Sequence, residues 1–194
     1  IDGDIGAYGP YHQSQRAEIY QTFVKKLVQE GRAYPCFMTE EELSEIRAEQ
    51  EKHKENPGIY GKWAKSRELT YEQIEENIKA GKPYVIRLRS NGPTDVAPED
   101  MPTITVNDVI RGEITMPANN MDVVILKATG IPTYHFAHAV DDHFMRTTHV
   151  VRGEEWLSSL PVHVELFETL GFELPKYCHT AHLMKIDDEG RSSE

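Results

Sequence analysis

The feature that most limits the fold is a repeated change in hydrophobic spacing along the chain. Residues 12–30 carry apolar pairs every four positions, the spacing of one helical face, and Gly31 follows as a stop. The middle of the chain then changes to short β-prone runs separated by Gly, Pro and Asn. These runs cover residues 84–89, 103–107, 113–116 and 122–127. A strand at 149–152 and a helix from Ser159 to Gly171 follow, so an α/β fold interrupted by an α+β module is predicted.

Two further helices are predicted from their first residues. Thr39 is followed three positions later by Glu42, and Thr70 is followed in the same way by Gln73. In such a capping box, each side chain bonds the other residue's backbone N–H at the start of a helix. Helices over residues 39–54 and 70–81 are therefore predicted.

Composition limits the class of protein. The 194 residues suffice for one ordinary domain or two small ones, and no apolar run approaches the ~20 residues of a membrane span. Cys36 and Cys178 are far apart, which favours reduced thiols and a cytoplasmic protein. The chain opens on Ile1 without an initiator Met, so an internal fragment is predicted. The net charge of −11 predicts that any bound RNA contacts a local basic patch. Five basic residues are candidates for contacting phosphates: Lys25, Lys26, Arg87, Arg89 and Arg111. Each of them could equally be an ordinary surface charge.

Arg152 is the strongest candidate for binding a ligand. It stands where the predicted strand ends, the edge at which open α/β sheets bind their ligands. A guanidinium there could form a two-pronged pair with a substrate carboxylate. Alternatively, Arg152 pairs with an acidic neighbour such as Glu154 or Glu155. Tyr134 is a second candidate, because its ring and hydroxyl suit a small polar ligand, although a lone Tyr is also a common packing residue.

A metal site is the alternative chemistry. Histidine and carboxylate ligands suited to zinc or iron cluster at His135, His138, Asp141, Asp142 and His143. Their spacing matches no metallohydrolase signature, and the pair His179 and His182 is a weaker candidate still. No Walker or Rossmann phosphate-binding loop is present in the sequence.

Several segments carry a family resemblance. Residues 9–16 read GPYHQSQR, 31–37 GRAYPCF, 83–88 PYVIRL and 109–113 VIRGE. The most specific stretch reads DVVILK at 122–127, GIPTY at 130–134, VDDH at 140–143 and THVVRGEE at 148–155. In this order and spacing, over essentially the whole chain, they resemble bacterial glutamyl-tRNA synthetases of class I.

The resemblance implies roles for particular residues. Tyr134 and Arg152 match the glutamate pocket, with the Arg taking the side-chain carboxylate, and His138 stands where the family commonly has Asn. An imidazole that contacts the substrate there would make glutamate binding sensitive to pH; alternatively, His138 packs against the loop and never meets the substrate. Glu155 and Trp156 match residues beside the ATP site, and His182 and Leu183 lie where the family's backbone contacts adenine. ATP with Mg²⁺ and L-glutamate are the implied small substrates.

The resemblance also implies a domain organisation. Residues 1–34 and 132–194 match two segments of a Rossmann-like catalytic domain, and 35–131 match an inserted, connective-peptide domain that binds the tRNA(Glu) acceptor end. A monomer without a membrane contact is implied. The HIGH and KMSKS signatures are absent from the sequence, so no catalytic residue is assigned and the fragment is expected to be inactive alone. Cys36 is followed by Phe37 and Met38 in place of a second ligand, which predicts no zinc.

Other interpretations of the sequence stay open. A shorter relative glutamylates a modified base of tRNA, as a glutamyl-queuosine synthetase, but it typically carries the missing zinc pairs. A glutaminyl-tRNA synthetase fits less well, because residues 152–155 follow the glutamyl pattern. A non-catalytic module that binds the tRNA acceptor end, and a His/Asp metallohydrolase, are the alternatives from other classes.

Overall fold

The computed structural model describes residues 6–181, 185–186 and 192–193. The α-helices are α1 (Ala17–Gln29), α2 (Glu40–Lys52), α3 (Tyr71–Lys79), α4 (Tyr134–Phe144) and α5 (Leu160–Leu170). The strands are β1 (Ala33–Cys36), β2 (Val85–Leu88), β3 (Thr103–Asp108), β4 (Gly112–Pro117), β5 (Val124–Leu126), β6 (His149–Gly153) and β7 (Lys176–Thr180). Two short strands, Lys185–Ile186 and Ser192–Ser193, pair antiparallel with each other.

Two of the helices, α2 and α3, begin where side chains satisfy their first N–H groups. Thr39 and Thr70 both form complete capping boxes, with Glu42 and Gln73 respectively, so the two predicted helices are confirmed. α1 begins at Ala17, later than predicted, because a 3-10 helix occupies Gln13–Gln15. α5 is terminated by Gly171, the residue after Leu170, whose backbone φ of 70° is left-handed and is therefore tolerated best by glycine.

The strands form two main sheets. β1, β2 and β5 make a three-stranded antiparallel sheet. The other sheet has the order β4-β3-β7-β6, in which β6 and β7 run parallel and the β3–β4 hairpin joins β7. The hairpin that the sequence places in the middle module thus extends the sheet that carries Arg152.

The main apolar core lies between the three-stranded sheet and the helices α1, α4 and α5. It includes Tyr20, Leu27, Leu88, Ile125 and Phe136, each of which is fully buried. A second cluster joins the four-stranded sheet to α5 through Val106, Leu160, Val164 and Tyr177. Since α5 packs in both clusters, it holds the two sheets in a fixed relation beside the carboxyl end of β6.

No helix in the described part of the chain combines the length and the apolar character needed to cross a membrane.

Candidate functional site

The candidate site lies at the carboxyl ends of β6 and β7. These strands are parallel, and Arg152 on β6 pairs in register with His179 on β7. α4 begins beside them at Tyr134, and α5 brings His163 to the same place. Ligands of α/β sheets bind at this edge, so the topology places the predicted residues Tyr134 and Arg152 where a ligand is expected.

Arg152 is held by two histidines. Its Nε donates to His179 Nε2 at 2.9 Å, and its Nη1 donates to His163 Nδ1 at 3.0 Å. The guanidinium carbon lies 4.8 Å from the centre of the Tyr177 ring, within reach of a cation–π contact. Among the described residues, the buried Nη2 has no hydrogen-bond partner. A buried N–H without an acceptor costs about 1–3 kcal/mol, so a carboxylate that accepted from Nη2 would be stabilised there.

These contacts fix the protonation of both histidines. A guanidinium has donors only, so the ring nitrogens that face Arg152 must be acceptors. His179 therefore carries its proton on Nδ1, which donates to Asp108 Oδ2 over 2.7 Å. His163 carries its proton on Nε2, which donates to His135 Nδ1 over 2.9 Å.

Burial favours the neutral forms of His163 and His135. It lowers the pKa of His163 to about 2, and electrostatic interactions with His138 and Arg152 act in the same direction. The pKa of His135 is also lowered, by burial first and then by the same two neighbours. Since neutral histidines can accept from Arg152, the cation at this end of β6 is Arg152 itself.

Asp108 supports His179, the histidine that accepts from Arg152 Nε. It is 3% exposed, and its Oδ2 also accepts the backbone N–H of His179 at 3.0 Å. Burial alone would raise the pKa of Asp108, but hydrogen bonds from Arg111, His179 and Ile110 outweigh it and lower that pKa. Asp108 is thus an ionised carboxylate that holds His179 in the tautomer Arg152 needs.

An aromatic wall covers one side of the site. The Tyr134 ring is half-exposed, its centroid 4.3 Å from Trp156 and 5.9 Å from His163. It also stacks on His138, with ring centroids 5.8 Å apart and planes within 6° of parallel. Tyr134 is therefore held among rings that include His163, a partner of Arg152, while much of its surface stays exposed, which suits a small polar ligand.

His138 lies behind Tyr134 and is buried. Its Nε2 is 2.9 Å from the Tyr177 hydroxyl, and its Nδ1 pairs with the Asp142 carboxylate. Both ring nitrogens are engaged by the protein, so His138 would contact a ligand only after releasing one of these partners.

The remaining members of the sequence-based metal cluster point to different partners. Asp141 accepts from Arg16 Nε and from the Tyr20 hydroxyl, each at 2.7 Å. His143 stacks on Phe172 with ring centroids 3.7 Å apart. In the described part of the chain, no group of three or more His, Cys, Asp or Glu side chains is placed to hold a metal ion.

The other predicted residues surround the end of β6. Glu155 and Trp156 lie in a 3-10 helix, Glu154–Ser159, that follows β6 directly. The Glu155 carboxylate lies over Gly153, where an added Cβ atom would make that flexible side chain shift. His182 and Leu183 lie outside the described residues. Glu154 pairs with Arg111, which also donates from Nε to the His179 carbonyl at 3.0 Å, so Glu154 is not the partner of Arg152.

Sequence reasoning missed the partners of Arg152. His163 was hidden within an apolar helical face, beside Leu160 and Val164, where a buried polar side chain needs a partner. This need of a buried histidine for hydrogen-bond partners was the one sign in the sequence that His163 does more than pack. Asp108 ends a strand distant in sequence, and nothing local connects it to Arg152.

The chain was compared with known proteins. The profile of a family described as "tRNA synthetases class I (E and Q), catalytic domain" matches residues 1–192. A glutamate–tRNA ligase of Acetivibrio thermocellus is 60% identical over 188 residues, which are 97% of this chain and 33% of that protein. One from Clostridium perfringens is 54% identical over 190 residues, 98% of this chain and 34% of that protein. The chain spans about a third of the length of these curated relatives.

A solved structure gives the same family. The crystal structure of a glutamate tRNA ligase from Elizabethkingia meningosepticum in complex with its amino acid superposes with a TM-score of 0.81 at 38% identity. The match covers 97% of this chain and 37% of that one. A sequence match over nearly every residue, together with this shared fold, means that the chain belongs to the class I tRNA synthetases for glutamate (E) and glutamine (Q), within their catalytic domain.

Proposed function

We propose that this chain is the glutamate-recognising part of a glutamate–tRNA ligase. The protein binds L-glutamate and the Mg²⁺ complex of ATP, and it transfers the activated glutamate to the 3′ end of tRNA(Glu). It works as a cytoplasmic monomer.

The observation that carries the proposal is the state of Arg152. The guanidinium is cationic, two neutral histidines occupy its Nε and Nη1, and the buried Nη2 is without a protein partner in the described residues. A carboxylate is the ligand group that accepts best from such a donor. Tyr134 and His138 complete the glutamate pocket, Tyr134 as its exposed wall and His138 against the inner face of that ring.

The reaction has two steps. An oxygen of the glutamate α-carboxylate attacks the α-phosphorus of ATP in line, and the bond to the leaving pyrophosphate breaks, which gives glutamyl-adenylate. A terminal hydroxyl of the tRNA then attacks the activated carbonyl, and AMP leaves. Positioning of the reactants supplies much of the catalysis, because no covalent enzyme intermediate is needed. Arg152 contributes by fixing the side chain of glutamate, while Glu155, Trp156, His182 and Leu183 border ATP.

The middle module contacts the tRNA. Residues 35–131 bind the acceptor end, while 1–34 and 132–194 belong to the Rossmann-like part of the domain. The β3–β4 hairpin supports a direct connection between the two, because it pairs with β7 beside Arg152. An RNA end held by this module would therefore lie close to the bound amino acid.

The test is tRNA charging by the full-length protein that contains this chain. Purified protein is incubated with Mg²⁺-ATP, tRNA(Glu) and radiolabelled glutamate, glutamine or aspartate. Glutamate should be esterified to the 3′ end and the others should not. Charging with glutamine, or glutamate attached to a base within the tRNA, would contradict the proposal and favour one of the related activities.

A further inference from the structure

His163 is a polar side chain in an otherwise apolar position. It lies on α5 between Leu160 and Val164, and all its surface is buried. Its ring is surrounded by other rings, with centroids 4.7 Å away in His138, 5.1 Å in His135 and 5.9 Å in Tyr134. A packing role alone would be filled better by an apolar side chain, because a buried polar group must find partners.

The partners that His163 finds are both directional. Nδ1 lies 3.0 Å from Arg152 Nη1, and Nε2 lies 2.9 Å from His135 Nδ1. Arg152 can only donate, so Nδ1 must accept and Nε2 must carry the proton. The contact on the other side of the guanidinium is of the same kind, since Nε of Arg152 donates to His179.

We propose that His163 is a positioning residue for glutamate. Its Nδ1 and His179 Nε2 hold two edges of the Arg152 guanidinium, so the plane is fixed and Nη2 is left for the substrate side-chain carboxylate. A planar guanidinium held at two points cannot rotate without breaking a hydrogen bond, which makes it selective for one carboxylate position. This inference rests on the proposed function and adds a specificity determinant on α5, a helix for which the sequence predicted no site residue.

Two amide substitutions separate positioning from packing. In His163→Asn, the side-chain oxygen can take the place of Nδ1 and accept from Arg152, while the bond to His135 is lost. In His163→Gln, the amide reaches the place of Nε2 and keeps the His135 contact, while the acceptor for Arg152 is lost. Gln is closer to His in volume than Asn is, so packing and positioning predict opposite orders. His163→Leu removes both bonds and keeps an apolar side chain.

The experiment measures tRNA charging by the full-length protein, with KM for glutamate and for ATP and the kcat/KM ratio of glutamate over glutamine. We expect His163→Gln and His163→Leu to raise the glutamate KM about 10- to 100-fold, the loss of a hydrogen bond to a charged group. The same two variants should lower the glutamate preference, and His163→Asn should stay within about threefold of wild type because its acceptor is retained. The ATP KM should be unchanged in all three.

The control is His149→Asn, because His149 is exposed at the opposite end of β6. It should leave every parameter unchanged. If the glutamate KM rises more in His163→Asn than in His163→Gln, as side-chain volume predicts, the role of His163 is overturned. A rise in the ATP KM that matches the rise in the glutamate KM would also overturn it. If His163→Leu does not fold, the glutamate KM values of His163→Asn and His163→Gln still distinguish positioning from packing. A wild-type protein that charges no tRNA with glutamate would overturn both the proposed function and this role, whereas an active wild type with equal KM values in Asn and Gln overturns this role alone.

Discussion

His163 stays neutral because protonation would be opposed on every side. Its ordinary pKa of 6.5 is lowered to about 2, mainly by burial and further by electrostatic interactions with His138 and Arg152, and then with His135 and His179. In the unfolded chain the ring would bind a proton near its ordinary pKa. Between pH 6.5 and 2, therefore, the unfolded state binds more protons than the native state, and stability falls as the pH falls.

This difference predicts an acid sensitivity that His163 causes. Each pH unit below 6.5 should remove about 1.4 kcal/mol of stability through this group alone. His163→Asn has no such group, so its stability deficit relative to wild type should narrow as the pH falls. The Tm of both full-length proteins is compared at pH 7.5 and pH 5.5. A Tm gap that stays constant over this range would mean that the native state tolerates protonated His163.

His138 could either contact glutamate directly or support the Tyr134 ring from behind. The two roles predict different dependences of the glutamate KM on pH. If its imidazole contacted glutamate, KM would rise with pH in wild type as the ring lost its charge, and would not in His138→Asn. Because both ring nitrogens are already engaged by Tyr177 and Asp142, we expect support of the Tyr134 ring instead. His138→Asn should then raise the glutamate KM by about tenfold or less, the effect of losing one hydrogen bond. The rise should be the same at every pH between about 6 and 8.5. Plots of KM against pH that diverge between wild type and His138→Asn would instead establish that His138 contacts glutamate directly.

Single residues also show how far the sequence can be interpreted. The position of Arg152 at a strand end follows from local pattern, and the structure confirms it. Its partners do not follow, because they come from α5 and β7, and the acidic neighbour Glu154 is used by Arg111 instead. Sequence proximity suggested Glu154 or Glu155 as a partner, but β6 ends at Gly153 and Glu154 begins the following 3-10 helix, where it meets Arg111.

At the scale of elements, helices with local start signals were predictable and one without such a signal was not. The capping boxes at Thr39 and Thr70 identify α2 and α3. No helix was predicted at α4, because Thr133 does not cap it and instead donates from its hydroxyl to the Val124 carbonyl at 2.7 Å. Its start is therefore set by a tertiary contact with β5, which no local pattern reveals.

The β3–β4 hairpin depends on one carboxylate. Asp108 Oδ1 accepts the N–H groups of Ile110 and Arg111 in the turn, and its Oδ2 accepts from His179 on β7. Asp108→Asn puts an amide donor against these donors, so we expect a loss of about 2–4 kcal/mol. The glutamate KM should also rise, because His179 loses the partner that fixes its tautomer.

The control for Asp108 is on the same hairpin. Thr115→Ala removes an exposed cross-strand contact with Thr105 and should cost no more than about 1 kcal/mol. Thermal unfolding of the two full-length variants gives the comparison. An Asp108→Asn protein as stable as Thr115→Ala would show that the hairpin is held mainly by its other contacts.

For the whole molecule, net charge opposes RNA binding and local charge must overcome it. The chain carries a net charge of −11, and several of the basic residues are already occupied. Arg87 is buried against the Asp122 carbonyl, and Arg111 is paired with Glu154. Lys82 and Lys127 are exposed and line a cavity of about 670 Å³ with Tyr71 and Tyr84, which gives a basic and aromatic surface formed by residues of the range 35–131.

This surface should make acceptor-stem binding depend on salt. Each phosphate contact contributes a slope of about −0.7 to −0.9 to log K against log salt. Lys82→Ala with Lys127→Ala should weaken binding and flatten the slope in filter binding between about 50 and 200 mM salt. The matched control changes Lys52 and Lys62, which are already paired with Glu49 and Glu55. Binding without any salt dependence, or equal losses in both double variants, would contradict this placement.

The most direct measurement of the central claim is the steady-state charging of tRNA(Glu) with glutamate by the full-length protein and its Arg152 variants. Arg152→Lys keeps the charge without the planar fork, and Arg152→Ala removes both. The loss of this charge-assisted pair should cost about 2–4 kcal/mol, or a fall of about 30- to 1000-fold in kcat/KM for glutamate. Arg47→Ala, on the exposed face of α2, is the control and should behave as wild type. Arg152→Ala with kcat/KM close to that of Arg47→Ala would contradict the assignment of Arg152 to the substrate carboxylate.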